Sequence, residues 1–85
     1  MANASGQKPA AVEVQDNYQT LIDYDSGTNP VYIGKSSPGS ATSSSVWSIR
    51  KVTYDANSNP TTIKLASGTG SFDKIWDDRT TYTYS

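Results

Sequence analysis

The 85 residues predict an all-β domain: a small antiparallel barrel or sandwich of about six to seven strands behind a flexible N-terminal arm. Three observations predict it. β-branched and aromatic residues gather in short runs, clusters of Gly, Pro, Asn, Asp and Ser separate those runs, and no stretch of ten residues carries the 3.6-residue period of an amphipathic helix. Residues 1–10 read as the arm, being small and polar and closing on Lys8-Pro9-Ala10, and residues 11–85 read as one small β domain.

The elements follow in order. Residues 11–15 set Val12 and Val14 on one face, and 18–24 (Tyr-Gln-Thr-Leu-Ile-Asp-Tyr) are rich in β formers. Val31-Tyr32-Ile33 follows a turn. Residues 46–54 make the longest candidate strand. Trp47 and Ile49 share one face of it while Val52 and Tyr54 share the other, a phase change that predicts a β-bulge or bend near Arg50-Lys51. Residues 61–65 alternate, with Ile63 and Leu65 predicted inward, and 79–84 read as a closing strand with Tyr82 and Tyr84 on one face. Phe72-Asp73-Lys74-Ile75-Trp76 has room for one helical turn. The twelve residues between Ile33 and Val46 hold no apolar side chain beyond Ala41, a loop length that is uncommon unless it contacts a partner or moves freely.

A near-repeat, Tyr-Asp-x-x-x-Asn-Pro-x-x-Ile, begins at Tyr24 and again at Tyr54. Its chemistry is that of a hairpin connection: Asp and Asn bond back to local backbone, Gly27 or Asn57 supplies a positive φ, and Pro stiffens entry to the next strand. By this correspondence Ile22, Tyr24, Val52 and Tyr54 face a common core.

Composition excludes several kinds of function. Without Cys or His there are no disulfides, no Cys nucleophile and no Ser-His-Asp arrangement, and zinc and haem sites lose their usual ligands. A net charge of -1 leaves no clustered basic surface for nucleic acid. No apolar run approaches the roughly 20 residues that span a bilayer, and the N-terminal residues lack the basic start and apolar core of a secretion signal, so the expectation is a protein made in the cytoplasm with no membrane role. Asp23-Tyr24-Asp25-Ser26-Gly27 lacks the later ligands of a calcium loop and reads as a turn, and Asp77-Asp78-Arg79 reads as a solvated turn in which Arg79 partners the two acids. Gly34-Lys35-Ser36-Ser37 lacks the leading glycine spacing of a phosphate loop. The chain reads as a non-enzyme with no catalytic residues, metal or cofactor.

Binding is the remaining class. Apolar residues are 34% of the chain, too few for a large core, and a domain of this size buries only about 60–65% of its unfolded surface. With neither disulfides nor metals, oligomerisation or docking onto a larger assembly is the physical remedy. Nine aromatics supply contact area at small entropy cost, so Trp47, Trp76, Tyr82 and Tyr84 are candidate partner contacts, together with Lys8 and Pro9 of the arm and Pro38 of the long loop.

Tyr32-Ile33-Gly34, then Pro38-Gly39-Ser40-Ala41-Thr42-Ser43, then Trp47-Ser48-Ile49 form a pattern that resembles small proteins encoded in structural gene clusters of tailed bacteriophages. The ending Phe72-Asp73-Lys74-Ile75-Trp76-Asp77-Asp78-Arg79 with Tyr82 is similar to theirs as well. The resemblance covers about residues 20–85 and leaves out the arm. It implies a virion-associated structural role with viral structural proteins as partners, carries no catalytic residues, and does not imply which part of the particle. Two readings stand: a capsid decoration (cement) protein docked on the major capsid protein, or a tail-associated module (fibre, spike or adaptor). A third, overlapping the second, is carbohydrate binding with Trp47 or Trp76 as the stacking platform.

Overall fold

The computed structural model describes residues 17–85. They are mostly β, with no α-helix, and form a five-stranded antiparallel sheet that is not closed into a barrel. The strands are β1 (Gln19–Asp23), β2 (Tyr32–Ser36), β3 (Ser45–Tyr54), β4 (Pro60–Leu65) and β5 (Lys74–Ile75), followed by a 3₁₀ helix at Trp76–Asp78. The sheet order is β1-β2-β3-β4, and β5 pairs with the N-terminal end of β3. The arm and the strand expected at 11–15 lie outside the described residues.

Two hairpins build most of the sheet, and their turns use carboxylates. In β1–β2 the Asp23 Oδ1 accepts the Asp25 N–H at 2.9 Å, and the Val31 N–H closes the loop on Asp23 O at 2.8 Å. In β3–β4 the Asp55 Oδ1 accepts the N–H of Asn57 (2.8 Å) and of Asn59 (3.0 Å). The positive φ angles fall on Asp25 (51°) and Ser26 (64°) in the first turn and on Ser58 (64°) in the second. Gly27 and Asn57, expected to supply them, do not. The turning carboxylate also sits two positions earlier in the first copy than in the second, so the two matching sequences make different turns.

The core lies on one face of the sheet. Trp47 and Ile49 are fully buried, with Tyr32, Ala66 and Trp76 around them and Leu21, Tyr82 and Tyr84 packed at the margin. The cover is residues 69–85. They do not form the strand expected at 79–84: after the 3₁₀ helix the chain turns, and its strand-like pairing is an isolated bridge from Tyr84 to Ala66. The alternating tyrosines instead reach local backbone. Tyr84 donates its hydroxyl proton to Arg79 O (2.7 Å), and the Tyr82 hydroxyl accepts from Ile75 N (2.8 Å). Likewise the turn expected within residues 72–76 is displaced: Lys74 and Ile75 are strand, and the helical turn starts at Trp76.

Nor does β3 bulge at Arg50-Lys51. Its pairing runs unbroken through these residues on both sides, and the irregularities fall at Ser45/Trp47 and Thr53/Tyr54. The phase change in the sequence arises because the strand has apolar residues on both faces. Trp47 and Ile49 point into the core, and Val52 lies on the opposite face beside its cross-strand partner Ile63.

Residues 37–44 are tied down. The Trp47 indole N–H donates to Ala41 O at 2.9 Å, the buried Ser36 hydroxyl bonds Ser40 Oγ and Val46 O, and the Asp77 N–H reaches Thr42 O. These bonds satisfy buried polar groups that the fold would otherwise leave unpaired.

Candidate functional site

Strict alternation from Ile49 puts Arg50 and Val52 on the face away from the core. The register then adds Ile33 and Ile22 beside Arg50, Leu65 beyond it, and Ile63 beside Val52. This second face carries four aliphatic β-branched residues from four strands, with Thr20 and Lys35 on it as well. No described residue covers it well: Ile22 is 51% exposed and Ile63 61%. The expectation that Ile22, Tyr24, Val52 and Tyr54 meet in a core is therefore corrected. Ile22 and Val52 do share a face, but that face is open, and of the four only Val52 is buried. Ile63, expected inward, lies there too. Arg50 sits among these side chains with no carboxylate partner among the described residues.

The core face continues past the tyrosines into a groove of about 240 Å³ lined by Lys51, Thr53, Lys64, Tyr82 and Tyr84. Lys51 and Lys64 are directly opposed across β3 and β4. The Lys51 ammonium lies 5.6 Å from the centre of the Tyr32 ring. Burial is the main cause that pushes the Tyr84 hydroxyl up to about 12, with Tyr32 and Tyr82 adding to it and Arg79 opposing.

The expected contact residues divide. Lys8 and Pro9 lie outside the described residues. Pro38 is exposed in the turn after β2. Trp47 and Trp76 are core residues, packed at 6.0 Å between ring centres, so neither offers an open stacking face. Tyr82 and Tyr84 are half-buried and reach the groove. The exposed aromatics are Tyr18, Tyr24 and Phe72, with Tyr18 against Phe72 at 5.0 Å. The two lysines escape sequence reasoning because their opposition depends on strand register.

Arg79 does not partner Asp77 or Asp78 as expected; its acidic partner comes from the other end of the described chain. Its Nε donates to Asp23 Oδ2 at 2.7 Å and its guanidinium stacks 4.7 Å from the Trp76 ring centre. With Asp25 N–H on one oxygen and Arg79 on the other, the Asp23 carboxyl is held below its ordinary value, chiefly by the backbone bond and then by Arg79. Among the described residues no three His, Cys, Asp or Glu side chains gather as a metal site. Comparison with protein-family models, curated proteins and solved structures gave no match.

Proposed function

We propose that this chain is a non-enzymatic structural protein of a bacteriophage virion, made in the host cytoplasm and carried on the particle as a capsid decoration protein seated on the major capsid protein. The observation that carries the reading is the apolar face of Ile22, Ile33, Val52 and Ile63, on which Ile22 and Ile63 stay more than half exposed among the described residues while Val52 is buried. A one-layer sheet with one covered face is half of a sandwich, and the second layer comes from the docked partner. Contiguous apolar surface on a small domain marks an interaction site.

Arg50 states the chemistry of that partner. Lying within the apolar face and lacking an acid among the described residues, it calls for an apolar patch that brings a carboxylate. A second copy of the same face brings another arginine instead, and like charges brought together in a desolvated interface oppose association. The occupant is therefore a different chain. Many copies of one modest contact hold a shell by avidity. The resemblance of the sequence pattern to proteins of phage structural gene clusters supports the setting.

The test is binding to purified heads that lack the protein. The wild-type chain saturates them. Ile22→Asp with Ile63→Asp stays folded, its melting temperature falling by no more than about 4–8 °C because exposed substitutions change stability by only about 0.5 kcal/mol each, and loses at least tenfold in head affinity. Undiminished binding by a folded double variant would reject this face as the docking surface.

A further inference from the structure

On the face opposite the docking surface, we infer that the groove between β3, β4 and the C-terminal tyrosines binds an acidic sugar, with Lys51 and Lys64 on its carboxylate. Like charges directly opposed across an antiparallel pair destabilise it, and side chains at such positions start only about 5 Å apart. Neither lysine has a carboxylate partner among the described residues. Lys51 leans on the Tyr32 ring, and the groove has no acid in its lining. Such a pair is relieved by one anion that both ammoniums reach.

The rest of the lining chooses among anions. Tyr84 gives its only hydroxyl proton to Arg79 O, so it offers carbon surface to the groove. Tyr82 accepts from Ile75 N and keeps its proton to donate. Thr53 is already joined to Thr62 through its hydroxyl. The groove thus joins a doubly cationic end to a wall of tyrosine carbon with one hydroxyl donor. Inorganic phosphate uses the cations and leaves the wall idle. A carboxylated pyranose uses both, since its ring has a carbon-rich face and hydroxyls at its edge. The volume, about 240 Å³, falls below the roughly 300–1,000 Å³ of drug-sized pockets and suits a single ring.

The site is independent of the capsid reading and stands or falls separately from it. Its test is a titration of the full chain, followed by backbone amide and tyrosine ring NMR shifts at fixed ionic strength. The probes are sodium glucuronate, glucose, inorganic phosphate and a tri-glutamate peptide. Glucuronate is expected to saturate in the millimolar range, at least fivefold tighter than the other three, with shifts at Lys51, Lys64, Tyr82 and Tyr84. Lys64→Gln is expected to weaken it at least fivefold and Lys64→Arg to retain it, while the Gln variant melts no lower than wild type because a like-charge contact is gone. Phosphate binding as tightly as glucuronate overturns the sugar assignment, tighter peptide binding makes the groove a protein contact instead, and no saturable shift removes the site.

Discussion

At Gly34 a hydrogen stands where any other residue would carry carbon. A Cβ there would lie 2.5 Å from Trp76 Cε3 and 3.3 Å from Trp47 Cε3. The glycine makes room for the Trp76 ring against β2, with the Trp47 ring beside it. Its φ is not in the left-handed region, so the requirement is room, not backbone conformation. Gly34→Ala must push the Trp76 ring off the sheet, and overpacking of this kind costs about 1–3 kcal/mol. In a domain of this size, each kcal/mol lowers the melting temperature by about 4–8 °C. Thermal unfolding of the variant checks it, and an unchanged midpoint would mean that Trp76 does not seal the core. Sequence alone shows a glycine among β formers. It cannot show that a tryptophan 42 positions later sits on it.

Among the elements, the strands were legible and their cover was not. Runs of β formers mark β1 to β4 because period-two alternation and turn residues are local signals. Alternation also assigns residues to faces, and Ile22, Val52 and Ile63 do fall on one side. Which side becomes the core depends on where residues 69–85 settle, and that is a long-range choice. Tyr82 and Tyr84 mimic a strand because a segment that lays every second side chain against a sheet has the same alternation, whether or not its backbone pairs. The clasp on this segment is Arg79 to Asp23. The folded Asp23 carboxyl is depressed below its value of 3.8, so its contribution is present above that pH and is lost as pH falls through the lower folded value. Asp23→Asn is expected to lower stability at neutral pH by about 1 kcal/mol and to flatten the loss between pH 5 and pH 2.5, leaving the share of Asp55, whose carboxyl is lowered in the same direction. Urea midpoints at the two pH values measure it, and an equally steep acid loss in the variant would show that the clasp is electrostatically idle.

For the whole molecule, the capsid proposal sets the stoichiometry to be expected. A decoration protein that completes its sandwich on capsid subunits occurs in hundreds of copies per particle, and quantitative mass spectrometry against the major capsid protein measures this. A handful to a few tens would place the chain in the tail or neck and favour a fibre, spike or adaptor role. Among the described residues, the bond that spans the most chain also bears on how the molecule comes into being. Asp23 and Arg79 are 56 residues apart. At roughly 5–20 residues per second of synthesis, β1 waits on the order of several seconds for its clasp to be made. Through that interval the core face of the nascent sheet lacks the Trp76 indole that covers it in the folded molecule. Trp76, made only three residues before Arg79, closes the core face when it packs against Trp47.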